Sequence, residues 1–218
     1  MSQDFNAVVF DLDGTLLDTL GDIADSINEV LGAEGLPLRT REEVRLMIGH
    51  GLEMALTRAL PEDRRSPAQA RPLARRVIDI YHGRQTETTK AFPGIADLLD
   101  DLKGRGLGLA VLSNKPHPNT LEMVEYFFPG IFQIVLGLRP EVPAKPDPAA
   151  ARETAAFLGL SPSRILYLGD SEVDMKTAAA AGMFPVGADW GYRTRAELAA
   201  AGARKIIASP SELTDFFR

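Results

Sequence analysis

Hydrophobic positions change their period along the chain. Ala7 to Phe10 is an unbroken apolar run that stops at Asp11, the pattern of a buried strand in a parallel sheet. From there to Lys90 the period is helical. Leu20, Ile23, Ala24, Ile27, Val30 and Leu31 recur at helical spacing, and Gly35-Leu36-Pro37 ends that element. Residues 41 to 60 form a second helical region, broken near Ile48-Gly49-His50-Gly51, and a third helix is predicted from Ala68 to about Thr86. No strand is read between Leu17 and Lys90. Beyond residue 90 short apolar runs alternate with amphipathic ones. The runs predict strands over 107–112, 132–136, 164–168, 185–187 and 205–208. Helices are predicted from Ile95 to Gly104 or Gly106, and over 119–127, 149–158 and 173–181.

Strand and helix in alternation predict an α/β fold, a Rossmann-like doubly wound parallel sheet with an inserted all-helical cap. The core is expected at 1–16 and 90–218. The cap, 17–89, leaves after the first strand and can act as a lid. Ligands of open α/β sheets bind outside the carboxyl ends of the strands. Asp11, Ser113 and Asp170 all lie at such ends, so three loops distant in sequence are expected to converge on one crevice.

Composition narrows the class. The chain has 218 residues, 45% hydrophobic and 25% charged, ordinary values for a globular protein. No apolar run approaches the roughly 20 residues of a membrane span, and Met1-Ser2-Gln3-Asp4-Phe5-Asn6 lacks the regions of a signal peptide. A net charge of −6 without a basic block argues against nucleic acid and anionic membrane as partners. The absence of Cys excludes disulfides, thiolate metal sites and a Cys nucleophile, and fits a cytoplasmic protein. His50, His82 and His117 do not pair at metal-ligand spacing, which argues against zinc.

The candidate chemistry begins at Asp11 and Asp13. Residues two apart on an extended chain point the same way, so both carboxylates can face one site. Taken alone they could equally be turn residues, with Gly14 supplying a positive φ. Ser113 follows an apolar run, Lys145 stands in Ala144-Lys145-Pro146-Asp147-Pro148, and Gly169-Asp170-Ser171-Glu172-Val173-Asp174 gathers acids after another apolar run.

Asp11-Leu12-Asp13-Gly14-Thr15-Leu16-Leu17-Asp18 resembles the first motif of the haloacid dehalogenase-like hydrolases, and the other three segments resemble the remaining motifs in their usual order. The resemblance implies Asp11 as nucleophile and Asp13 as general acid, then base. It implies Ser113 and the backbone N–H of Asn114 as ligands of phosphoryl oxygens, with Lys145 as a compensating cation. Mg²⁺ is the implied cofactor, held by the Asp11 carboxylate, the Asp13 main-chain carbonyl and the Asp170 carboxylate. Asp174 is expected beside the metal, through water or by holding Lys145, or else as an acid in the first turn of a helix, favoured by the dipole, and Glu172 is expected to be solvated. An acid at position 13 fits phosphate-cleaving members rather than those that release halide. A cation is also needed physically: a phosphate and a carboxylate about 4 Å apart repel by roughly 4 kcal/mol at an effective dielectric near 20.

Within that superfamily, residues 48–60, Ser113-Asn114-Lys115-Pro116, residues 169–175 and Asp189-Trp190-Gly191-Tyr192-Arg193 resemble the phosphoglycolate phosphatase-like branch. The branch more often has Thr at position 113 and commonly Asn at position 50. The resemblance implies a small phosphorylated metabolite as partner, phosphoglycolate first. A pyrophosphatase, a sugar-phosphate phosphatase, a β-phosphoglucomutase-like enzyme or a phosphate-binding regulatory protein are the alternatives. A phosphonate-cleaving relative would need a lid lysine, and there is no Lys before residue 90. A carboxylate-bearing substrate would then need Arg45, Arg58 or His50, which surround the glycine break in the insert.

Overall fold

The computed structural model describes residues 4–217; Met1-Ser2-Gln3, read above for a leader, and Arg218 lie outside the described residues. The chain divides into two compact units, one running up to Leu17 and again from Ala91 onward, the other Asp18–Lys90. Among the described residues no helix is long and apolar enough to cross a membrane.

The first unit begins with β1 (Ala7–Phe10). The two connecting segments, β2 (Leu17–Asp18) and β3 (Lys90–Ala91), pair as a short ribbon that the sequence pattern does not reveal. The helical unit contains α1 (Leu20–Ala33), α2 (Arg41–Met47), α3 (Leu52–Ala59) and α4 (Pro67–Arg84). The first unit resumes with α5 (Ile95–Gly104), β4 (Gly108–Pro116), α6 (His117–Phe127), β5 (Ile134–Leu138), α7 (Ala149–Phe157), β6 (Ile165–Gly169), α8 (Glu172–Ala181), β7 (Phe184–Ala188), α9 (Arg195–Ala200), β8 (Lys205–Ile207) and a 3₁₀ segment, Pro210–Phe217.

The six strands are parallel in the order β5-β4-β1-β6-β7-β8. β1 is central because both of its faces are covered. Val8 and Phe10 pack with Leu98, Leu99, Val111 and Leu168 on one side. Ala7 and Val9 pack with Ala151, Ala155, Tyr167 and Ala178 on the other. A strand buried on both faces reads as a continuous apolar run, which is why 7–10 shows no alternation. Each fully buried large side chain here contributes about 1.5–3 kcal/mol relative to exposure. From β1 the sheet grows one way through β4 and β5, then the other way through β6, β7 and β8. The order therefore reverses at β1, and the loops after β1, β4 and β6 flank the switch point where such sheets bind ligands.

β4 departs from the sequence expectation. It runs on through Ser113, Asn114 and Lys115 to Pro116 instead of ending at Leu112. Its pairing with β5 shifts between Leu112↔Leu136 and Pro116↔Leu138, so four steps of β4 oppose two of β5. Such a bulge re-aims side chains, and here it does so beside the switch point.

In the helical unit, Ile23, Ile27, Val30, Leu31, Leu56, Val77 and Tyr81 are buried. Thr40 and Glu43 form a capping box on α2. Asp22, 1% exposed, accepts from the backbone N–H and hydroxyl of both Thr88 and Thr89. That pins the end of the unit to α1. Burial pushes the Asp22 carboxyl up, but these hydrogen bonds outweigh it and hold it below its ordinary value.

Candidate active site

Asp11 follows β1 directly, and its backbone N–H donates to the Leu168 carbonyl, so β6 fixes where the side chain starts. Oδ1 of Asp11 accepts from the Leu12 N–H at 2.7 Å and pairs with Lys145 Nζ at 2.9 Å. Lys145 is buried, and its ammonium also donates to Asp174 Oδ1 at 2.7 Å and to the Leu112 carbonyl at 3.0 Å. The ammonium has two acceptors in hydrogen-bond geometry and a third anionic partner in Asp11. Lys145 thus ties β4, α8 and Asp11 together.

Asp174 joins the two readings its sequence position allows. At the third position of α8 it completes a capping box with Ser171, and its other oxygen holds Lys145. Asp170 sits at the end of β6. Its Oδ2 accepts from the Tyr192 N–H at 2.7 Å and its Oδ1 from the Thr15 hydroxyl at 3.3 Å. Trp190 Nε1 donates to the Thr15 carbonyl, so the 189–193 loop buttresses Asp170. Gly14 and Gly191 are required by this crowding. A Cβ on Gly14, which has φ 84°, would lie 2.4 Å from Asp170 Oδ2, and one on Gly191 would lie 2.2 Å from Asp170 Cβ. Glu172 is not simply solvated: it pairs with the buried Arg193 at 3.4 Å.

Asn114 acts through its side chain. Its Nδ2 donates to the Lys145 carbonyl at 3.1 Å and its Oδ1 accepts from the Lys145 N–H at 2.8 Å, clasping the loop that carries Lys145 to β4. Ser113 is buried beside it, with its hydroxyl oxygen accepting from the Lys115 N–H. Lys115, which lies beyond the strand end expected at Leu112, sends its ammonium to Asp13 Oδ1 at 3.0 Å. Its signal in the sequence is the lysine of Ser113-Asn114-Lys115-Pro116, which a strand end at Leu112 would place outside the sheet.

Asp11, Asp170 and Asp174 are buried and offer carboxylate oxygens that all lie within 4.8 Å of one another. Burial pushes the Asp11 carboxyl well above its ordinary value; Asp174 adds to this, Lys145 opposes it, and Asp170 and Asp13 add more. Burial and then Asp174 push Asp170 up to about 7, against the pull of the Tyr192 N–H, Arg193 and Lys145. Burial would lower Lys145, but Asp11 and Asp174 outweigh it and hold the ammonium well above its ordinary value. Five carboxylates (Asp11, Asp13, Asp170, Asp174 and the Glu172 that pairs with Arg193) thus meet three cations (Lys115, Lys145, Arg193) among the described residues. The surplus is negative, oxygen-based and buried, and a small divalent cation fits that donor set.

Arg45, His50 and Arg58 belong to the helical unit. Arg45 pairs with Glu42 at 2.6 Å, and Arg58 donates to the Met47 carbonyl, closing the end of α2. His50 lies between Gly49 and Gly51, both at positive φ.

Residues 8–188 match the model of the haloacid dehalogenase-like hydrolase family. The phosphoglycolate phosphatase of Photorhabdus laumondii is 33% identical over 215 residues, 95% of this chain and 90% of that protein. The crystal structure of a predicted phosphoglycolate phosphatase from Haemophilus somnus superimposes with a TM-score of 0.89, at 29% identity and covering 99% of each chain. CbbY from Rhodobacter sphaeroides, solved in complex with phosphate, gives 0.80 at 27% identity, covering 96% of each chain. The parallel sheet, the strand-end acids and these matches agree: the chain belongs to the haloacid dehalogenase-like hydrolase family, in its phosphoglycolate phosphatase-like branch.

Proposed function

We propose that the protein is a Mg²⁺-dependent phosphomonoesterase that works through an aspartyl phosphate on Asp11, with phosphoglycolate as its first candidate substrate. The observation that carries this is the pairing of Asp11 with Lys145, buried at the switch point of the sheet and facing two further acids. The substrate rests on the names of the relatives.

Oδ1 of Asp11 is occupied by Leu12 and Lys145. The attack on phosphorus is therefore assigned to Oδ2. Lys145 and the Leu12 N–H keep the carboxylate oriented and favour its charged form. Asp13 donates its proton to the bridging oxygen as the ester bond breaks, then takes a proton from the water that hydrolyses the acyl phosphate. The Ser113 hydroxyl and the Asn114 N–H stand at the carboxyl end of β4, where they can donate to phosphoryl oxygens. The Asp11 and Asp170 carboxylates and the Asp13 carbonyl would hold Mg²⁺, with Asp174 beside them. When bound, the ion would neutralise the negative charge of the acids and the phosphoryl group.

The test is phosphate release from a panel of phosphate esters, with Mg²⁺ and after chelation. The expected result is turnover that is lost on chelation and restored by Mg²⁺, highest in kcat/KM for phosphoglycolate. Full turnover without metal would refute the cofactor. Preference for a sugar phosphate would refute the substrate alone.

A further inference from the structure

The ion pair between Lys115 and Asp13 is unused in the chemistry above. The Lys115 side chain is 2% exposed and that of Asp13 17%, so the lysine lies beneath and the carboxyl stands at the rim. Lys115 reaches this place because of the bulge in β4. Its carbonyl accepts from the Thr120 hydroxyl at 3.1 Å, and its N–H donates to Ser113 Oγ, so its backbone is fixed on both sides. Gly137 of β5 allows this: a Cβ there would lie 2.6 Å from the Lys115 carbonyl oxygen. The Asp13 backbone is constrained as well, since it bridges to Leu17 and the next N–H, of Gly14, donates to the Leu17 carbonyl.

A carboxyl has two oxygens, and proton transfer needs the proton on a defined one. An ammonium donating to Oδ1 makes that oxygen an acceptor. In the protonated acid the proton must then sit on Oδ2, and in the carboxylate Oδ2 is the oxygen left to take a proton from water. We propose that Lys115 is a positioning residue that selects Oδ2 of Asp13 as the oxygen that gives and receives the proton. The inference rests on the reading of Asp13 as general acid and base. The step balances: the Oδ2 proton passes to the bridging oxygen as the phosphorus–oxygen ester bond breaks and the bond from phosphorus to Asp11 forms. Water later returns a proton to Oδ2 while its oxygen bonds to phosphorus and the bond to Asp11 breaks.

The experiment compares three esters. The alkoxides leaving from phosphoglycolate and glycerol phosphate need a proton, whereas the phenolate leaving from p-nitrophenyl phosphate does not. Since kcat/KM reports the steps through the first bond cleavage, Lys115→Gln should lower it tenfold or more for both alkyl esters, and by less than about threefold for p-nitrophenyl phosphate. General acid catalysis contributes about 10²–10⁴-fold, so a misaimed acid loses a measurable part of that. In an Asp13→Asn background the same substitution should add less than about threefold. Lys115→Arg, which keeps the charge, should recover part of the loss, and Lys115→Met, which also removes the charge, gives the same readout as the Gln variant if that one does not fold. Equal losses on all three esters would overturn the inference in favour of a structural role. A loss confined to phosphoglycolate would overturn it in favour of a contact to the substrate carboxylate. If Asp13→Asn is itself indifferent to the leaving group, the reading of Asp13 falls and the inference with it. If Asp13→Asn is selective and Lys115→Gln is not, the inference alone falls.

Discussion

Lys145→Met tests the centre of the site with little change of volume. The ammonium stands 2.9 Å from Asp11 and 2.7 Å from Asp174. At 2.9 Å and an effective dielectric near 20, one such pair is worth about 6 kcal/mol of raw attraction. Much of this is offset by desolvation, and removing one partner of a buried pair typically costs about 3–5 kcal/mol. Carried into the barrier, that is a loss of roughly 10²- to 10⁴-fold in kcat. The pH dependence has a sign. Burial raises the Asp11 carboxyl, the neighbouring acids raise it further, and Lys145 is the group that opposes them. Without Lys145 more of Asp11 is protonated at neutral pH, so the residual activity should climb as pH rises. The assay is phosphate release at saturating Mg²⁺ across pH, with circular dichroism to show that the variant is folded. A loss smaller than about tenfold with an unchanged pH profile would refute the reasoning.

Three further outcomes follow from particular positions. Asp22→Asn puts an amide where four donors converge and should destabilise the protein by about 2–4 kcal/mol. Because the folded-state pKa of Asp22 lies below its ordinary 3.8, its contribution is present above that value and is lost as pH falls through the lower folded one. Urea unfolding from pH 7 to 3 should show a shallower acid loss in the variant, and parallel curves would contradict this. Gly191→Ala drives a Cβ into Asp170 and the Gly14 carbonyl and should weaken Mg²⁺ binding by calorimetry. Gly83→Ala in α4 meets open space and should stabilise by about 0.5–1 kcal/mol in urea unfolding, and a destabilised variant would sink the packing argument.

The sequence exposed what burial dictates. β1 was legible because both faces are covered, and Asp11, Asp13 and Asp170 because a carboxylate after a buried strand stands out. It hid what tertiary bonds dictate. Ser113, Asn114 and Lys115 look like a turn because they are polar. They stay extended because Asn114 clasps Lys145 and Lys115 reaches Asp13, contacts with partners 31 and 102 residues away. α9 has only six residues and too few apolar positions for a period, although Thr194 and Glu197 spell its capping box. Asp174 was divided between first-turn helix acid and site because it serves both, one oxygen to Ser171 and the other to Lys145. The role of the 189–193 loop as a brace for Asp170 depends on a backbone N–H, which no side-chain pattern reports.

The central claim is that Asp11 carries the phosphoryl group. Rapid acid quench with radiolabelled p-nitrophenyl phosphate tests it, using Asp13→Asn so that the second step is slowed and the intermediate accumulates. The account predicts label bound to the denatured protein, released by hydroxylamine, confined to the peptide containing Asp11, and absent from Asp11→Asn. Turnover of the ester with no protein-bound label at any quench time, or label on another residue, would contradict it.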